Sequence, residues 1–339
     1  MKSKLLKIIS STLALIMLCT AFAGCKKENA ESSSMASQEP KTKVNVAVLK
    51  GPTAIGMLKL MSDDKNNIAN NDYNFEVCTD PATQVVPKIV NKSIDIAAVP
   101  TNLAATLYKK TEKNVSIIAV NTLGVLSIVT NGVEINSVAD LKGKTIYATG
   151  QGSTPEYALN YILEKNGLKV GEDVKVEYKA EHSELASLVI SGSANIAMLP
   201  QPFVTNVLNQ NKDVKIALDL SDEWAKIPDN NGSELVMGCI IVRNDFLKAN
   251  PDAVAAFLRE YNASTFNAND KLSETGLLSD EFGILPAKVV EQAIPSCNIV
   301  CYTGEKMKTN VSAYLNTLLA ANPASIGGEL PDDAFYYLP

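Results

Sequence analysis

From Val44 onward, short apolar runs alternate with longer amphipathic stretches. The segment "VNVAVLKGPTAIGMLKLM" (residues 44–61) predicts an apolar strand, a Gly-Pro-Thr turn and a helix. The segment "KTIYATGQGSTPEYALNYIL" (144–163) has the same order, with a Gly-rich turn that carries hydroxyls. Alternating strands come next, "YNFEVCT" (73–79) and "VKVEYKA" (174–180), and each leads into a helical pattern, "ATQVVPKIVNKS" or "HSELASLVISGS". Those helices run into short apolar strands, "IDIAAVP" and "ANIAMLP". A further helix ("TNLAATLYKK", "PQPFVTNVLNQ") and strand ("VSIIAVN", "VKIALDL") follow each. Strands and helices alternating at this spacing predict βαβ units on mostly parallel sheets.

The two series echo one another a hundred residues apart. Ser93, Ile96, Ala97 and Pro100 return as Ser193, Ile196, Ala197 and Pro200. The pattern predicts an α/β protein with two lobes of the same topology. The strand-like runs "TLGVLSIVTNG" (122–132) and "ELVMGCIIVRNDF" (234–246) would carry the chain from one lobe to the other and back. On this reading lobe one comprises residues 43–127 plus 243–339, and lobe two residues 128–242. Helices are expected at "NPDAVAAFLREYNASTFNAND", with Pro251 near its first position, and at "LPAKVVEQAI" and "KMKTNVSAYLNTLLAAN", packing back on lobe one.

The N-terminus departs from this pattern. Lys2, Lys4 and Lys7 precede the apolar "IISSTLALIML", and small residues lead to Cys25 in "AFAGC". This is the form of an export signal, residues 1–24, rather than a membrane span. The segment resembles the lipobox of bacterial lipoproteins, although Phe22 stands where an aliphatic residue is usual. That resemblance implies cleavage before Cys25 and a lipid on its thiol. Residues 25–42 are polar and aperiodic and read as a flexible tether spanning about 20–25 Å. The chain is 46% hydrophobic and 20% charged, as globular proteins are, with a net charge of −6 that loss of the signal would take to −9. No basic stripe suits nucleic acid, and no apolar run of about 18 residues follows the N-terminus. Cys78, Cys239, Cys297 and Cys301 show no C-x-x-C spacing and read as buried free thiols.

The stretch "SVADLKGKTIYATGQGSTPEYALNYILEKNGL" resembles the second-lobe opening of ABC-importer substrate-binding proteins of the nitrate, taurine and aliphatic sulfonate group. Binders of thiamine-pyrimidine precursors share that superfamily. The resemblance rests on the strand entry at Asp140 to Thr145, the Gly152-Ser153-Thr154 turn, the two echoed strands and the C-terminal helices. It implies a periplasmic-binding-protein type II-like fold, a ligand cleft closed by lobe movement, and permease and ATPase partners at the membrane.

In open α/β sheets, ligands sit beyond the carboxyl ends of the strands. Four loops stand there, residues 50–54, 100–102, 150–154 and 200–203. The candidate ligand contacts are therefore Lys50, Gly51, Pro52, Thr53, Thr101, Asn102, Gly152, Ser153, Thr154, Tyr157, Gln201 and Phe203, with Trp224 on the cleft rim. Hydroxyls and N–H groups at helix starts attract anions. The same residues also serve as ordinary helix caps, and Lys50 as a solvated strand end. The expected ligand is a small organic molecule, anionic or heteroaromatic.

Enzyme chemistry has few candidates. The single histidine, His182, lies in the polar "KAEHSELA" and reads as a surface residue. "GQGSTP" is not a G-x-S-x-G elbow, and neither H-E-x-x-H nor a calcium-loop pattern occurs. The acidic stretch 219–234 reads as a surface loop. No cofactor, metal or nucleic acid is expected, and the chain is expected to be monomeric. Two alternatives stand beside the importer subunit: a ligand-sensing lipoprotein that reports to a membrane receptor, and a same-fold enzyme, which an export signal opposes.

Overall fold

The computed structural model describes residues 40–339 apart from 229 and 231. The expected export signal, Cys25 and most of the tether lie outside the described residues. Eleven strands and thirteen α-helices follow in the order β1 (Lys43–Leu49), α1 (Pro52–Ile55), α2 (Leu58–Lys65), β2 (Asp72–Cys78), α3 (Val86–Val90), β3 (Ile96–Pro100), α4 (Thr101–Lys110), β4 (Val115–Thr122), β5 (Leu126–Asn131), β6 (Thr145–Ala148), α5 (Thr154–Lys165), β7 (Lys175–Tyr178), α6 (His182–Ile190), β8 (Ile196–Pro200), α7 (Phe203–Gln210), β9 (Val214–Asp219), α8 (Leu220–Ala225), β10 (Gly238–Arg243), α9 (Asn244–Ala249), α10 (Pro251–Asp270), α11 (Leu272–Glu281), α12 (Ala287–Ala293), β11 (Ile299–Tyr302) and α13 (Gly304–Ala321). Among the described residues no helix is long and apolar enough to cross a membrane.

The strands form two sheets of matching order, β2-β1-β3-β10-β4-β11 and β7-β6-β8-β5-β9. β1 pairs in parallel with β2 and β3, as β6 does with β7 and β8. The fourth strand of each sheet is antiparallel to both neighbours, β10 in the first sheet and β5 in the second. Each of these strands is the first that the chain makes after leaving the other sheet. The chain thus changes sheets at residues 123–125 and again between Asp219 and Gly238. The whole of β10 belongs to the first sheet and the whole of β5 to the second.

The echoed strands explain themselves through their two faces. Ile196 and Met198 of β8 enter one hydrophobic cluster, while Ala197 and Leu199 enter another on the opposite face. β3 does the same, with Ala97 and Val99 on one side and Ile96 and Ala98 on the other. Strands buried on both faces need continuous apolar runs, which is why both echoes lack the polar alternation of a surface strand. One cluster continues through both sheets and takes in α5, α8 and α13. The outer cluster of the first sheet gathers α2, α10 and α12, and that of the second gathers α6 and α7.

The strand entry at Asp140 to Thr145 has a local explanation. Asp140 accepts hydrogen bonds from the N–H groups of Asn136 and Ser137, both at 2.9 Å, and from the Ser137 hydroxyl at 3.0 Å. These bonds hold its carboxyl below the ordinary range. The four cysteines among the described residues are unpaired, Cys301 half-buried and the others buried.

Candidate functional site

A cavity of 530 Å³ lies between the carboxyl ends of the two sheets. The first sheet contributes Leu49 at the end of β1 and Lys50 after it, residues 79–82 after β2, Val99 and Pro100 at the end of β3, and Thr122 at the end of β4. The second contributes residues 150–153 after β6, Tyr178 at the end of β7 with residues 179–182 after it, and Pro200 at the end of β8. Both crossings reach it as well, through Val125 and Leu126, and Met237 and Gly238. Gly238 pairs with Pro100 and Leu126 with Pro200, so each echoed proline faces the first residue of a crossing strand. A proline has no N–H to extend a ladder, and both strands stop there, at the edge of the cavity.

Charges in the cavity wall balance in sign. Lys50 and Asp80 come from one sheet, Lys179 and Glu181 from the other. Asp80 is partly engaged, accepting from the Thr83 N–H at 2.8 Å. Three hydrogen-bonding groups have their polar atoms poorly matched within the protein. Thr122 is only 3% exposed, and neither its hydroxyl nor that of Tyr178 has a partner among the described residues. Burial, with Glu156 and Tyr157 nearby, pushes the Tyr178 phenol up, which keeps it a protonated donor.

The third group is His182. Its Nδ1 lies 2.6 Å from the Thr149 hydroxyl, and its ring packs 5.2 Å from that of Phe203. Burial lowers the imidazole to about 4, so it is neutral near pH 7. Thr149 is buried, and among the described residues its hydroxyl bonds only with His182. Were Thr149 to accept from Nδ1–H, its own proton would be stranded. Donation to Nδ1 pairs both groups and leaves the imidazole proton on Nε2.

A family model for the phosphonate periplasmic substrate-binding proteins of ABC transporters matches residues 72–274, more than half of the chain. The chain belongs to this family. It is the substrate-binding component of an ABC importer, and the family is extracytoplasmic. A Bacillus subtilis (strain 168) protein named as a binding protein, YtlA, is 22% identical over 286 residues, covering 82% of this chain and 79% of YtlA. The solved structure of an ABC transporter protein from Parabacteroides distasonis aligns at a TM-score of 0.72 and 24% identity, over 88% of this chain and 99% of that one. The periplasmic aliphatic sulphonate binding protein SsuA of Escherichia coli aligns at 0.66 and 15%, over 87% and 93%. These two structures share the two-sheet α/β fold with this binding protein.

The residues expected at the ligand site of this binding protein divide into three groups. Lys50, Pro52, Thr53, Gly152 and Ser153 line the cavity. Gly51 adjoins them at a positive φ of 132°, which glycine adopts freely. The hydroxyls of Thr53 and Ser153 are already spent, donating to the carbonyls of Leu49 and Gly150 at 2.5 and 2.8 Å. The single-turn α1 also gives Thr53 no long helix to cap.

The second group stands behind the cavity wall. Thr154 donates to Asn102 at 3.0 Å, and both are buried. Thr101 is buried beside them, with its N–H on the carbonyl of Met237. Gln201 folds back to accept from the N–H and hydroxyl of Thr205. Phe203 lies behind His182, and Tyr157 lines a neighbouring groove with Asn102.

Trp224 forms the third group alone. It is 1% exposed, wedged between Tyr161 and Tyr314, and it donates from Nε1 to the Ser233 carbonyl at 2.9 Å. The rim position expected for it is corrected by α13, which covers it from the C-terminus. The stretch 219–234 is likewise not a plain surface loop, since Asp219 caps α8, which buries Leu220 and Trp224. His182 is also moved, from an expected surface residue to the cavity wall. Thr122 and Tyr178 were not among the expected contacts; they end β4 and β7, whose following loops are not among the four singled out.

Proposed function

We propose that this binding protein captures a small organic molecule with an acceptor-rich head and an apolar body, of the sulfonate or phosphonate kind. It would do so by closing two lobes and would then deliver the molecule to its permease and ATPase. Its work on this reading is binding and release, with no bond chemistry. The lobes are those read from the chain, 43–127 plus 243–339 and 128–242, with the exchanges shifted to residues 123–125 and to the segment before Gly238. A lipid on Cys25 and the tether of residues 25–42 would hold the domain, as a monomer, at the outer face of the membrane.

The observation that carries the reading is the convergence of strand ends from both sheets on one cavity that holds unmatched donors. Thr122, Tyr178 and His182 supply neutral hydrogen bonds, and the balanced charges provide no strong field for an anion. Micromolar affinity needs about 8 kcal/mol. Hydrogen bonds supply about 1 kcal/mol each, or about 1.5–3 to a charged group. The remainder must come from burying an apolar body against Val99, Leu103, Val125, Leu126 and Met237. The names of the family and of SsuA, phosphonate and aliphatic sulphonate, fit such a molecule.

Native mass spectrometry of the purified protein should reveal a co-purified small molecule. Calorimetry with short alkanesulfonates, alkylphosphonates, nitrate and sulfate should then rank organic anions above inorganic ones. Val125→Trp should abolish binding by filling the cavity. Tight binding that survives this substitution would place the ligand elsewhere.

A further inference from the structure

The two lobes touch on both faces of the sheets, and the two contacts differ in kind. On one face Tyr314 of α13 lies against Trp224 of α8, ring centroids 5.5 Å apart, and Trp224 lies 4.7 Å from Tyr161 of α5. All three rings are buried in the cluster that continues through both sheets. Beside them Thr154 donates to Asn102 at 3.0 Å, and the Asn102 amide donates to the Ser325 carbonyl at 3.2 Å. Helices α4, α5, α8 and α13 are thereby joined by aromatic packing and by hydrogen bonds shut away from water.

On the other face α7 of the second lobe meets α12 of the first. Among the described residues the polar link there is an exposed amide pair, Asn209 Nδ2 donating to Gln292 Oε1 at 2.6 Å. Half-buried Leu285, just before α12, packs against the outer clusters of both lobes. Its loop is rigid, because the Ser279 hydroxyl donates to the Leu285 carbonyl at 2.8 Å and accepts from its N–H at 3.1 Å. Separating the aromatic face would part Tyr314 from Trp224, expose both rings and break the buried Thr154–Asn102 bond. Separating the other would expose the half-buried Leu285 and exchange an exposed amide pair for water. Helix α7 also begins at Phe203, whose ring backs His182 in the cavity wall.

We infer that the Tyr161–Trp224–Tyr314 column is a permanent pivot, and that Leu285 with Asn209 and Gln292 is a clasp that parts when the cavity opens. The inference rests on the proposed capture by lobe closure, but its test is made without ligand. Hydrogen exchange and small-angle scattering would be measured on the full chain and on its Leu285→Ser/Gln292→Ala variant, with circular dichroism to confirm the fold. The clasp variant should lose amide protection in α7 and α12 and gain radius of gyration, while α5, α8 and α13 keep their protection. Equal loss in α5, α8 and α13 overturns the pivot, and unchanged protection in α7 at unchanged radius overturns the clasp. If capture itself is wrong, no organic anion will alter exchange in the unsubstituted chain, and the variant comparison still decides the clasp.

Discussion

Asp95 and Arg243 are 7% and 8% exposed at the side chain, and they close the end of the first sheet opposite the cavity. Arg243 Nη2 lies 2.7 Å from Asp95 Oδ1, and its Nε donates to the Ile94 carbonyl at 2.8 Å. Asp95 Oδ2 accepts from the Asn45 N–H and side-chain amide at 2.8 and 3.0 Å. The second lobe builds the same corner from neutral residues. Asn131 N–H donates to the Asn195 carbonyl at 2.9 Å, as Arg243 N–H does to that of Asp95. The topology therefore does not require the charges, and their value lies in mutual compensation. Asp95→Ala leaves a buried guanidinium whose remaining carboxylate is the more exposed Asp245, and should cost about 3–5 kcal/mol. Arg243→Met leaves a buried carboxylate and should cost about as much. The double variant Asp95→Asn/Arg243→Met should cost well below the sum of the singles, with a coupling of about 2–3 kcal/mol. Urea unfolding followed by circular dichroism on all variants, at low and high salt, measures the cycle. Because the pair is buried, salt should change the coupling little. Strictly additive costs, or single substitutions costing below about 1 kcal/mol, would show the pair to be worth no more than a surface bridge.

His182 titrates at about 4 in the folded chain against 6.5 for a free histidine, so the unfolded chain binds more protons between those values. Stability should therefore fall as pH drops from near 7 to near 4, by roughly 3 kcal/mol from this group, and His182→Gln should remove that part of the slope. An identical pH dependence of urea stability in the variant would refute the neutral imidazole. Trp224→Ala should destabilise by about 3–5 kcal/mol in the same assay, because it empties the space between Tyr161 and Tyr314. A cost below about 1 kcal/mol would refute its burial under α13. Cys25→Ser should shift the protein from the membrane fraction to the medium or to unprocessed precursor. A wild-type protein secreted with its N-terminus at another residue would refute the lipid anchor.

Much of the fold was legible because its signals are local. Strands buried on both faces must be apolar throughout, so "IDIAAVP" and "ANIAMLP" declared themselves, and their matched order predicted two lobes of one topology. The family resemblance lay in the same segments. The placement of particular side chains was decided elsewhere. Trp224 stands in an acidic, polar stretch, and nothing near it in sequence tells that α13, some ninety residues on, arrives to bury it. His182 sits in a run of charged neighbours, yet Thr149 and Phe203 draw its ring into the wall. Thr154 and Asn102, alike in their loops, spend their polar groups on each other, because the two helices meet where the lobes do. Periodicity records which side of an element turns away from water. Only the packing of distant elements determines whether a polar group there finds a partner in the protein; of the buried groups without one among the described residues, Thr122 and Tyr178 are those that line the cavity.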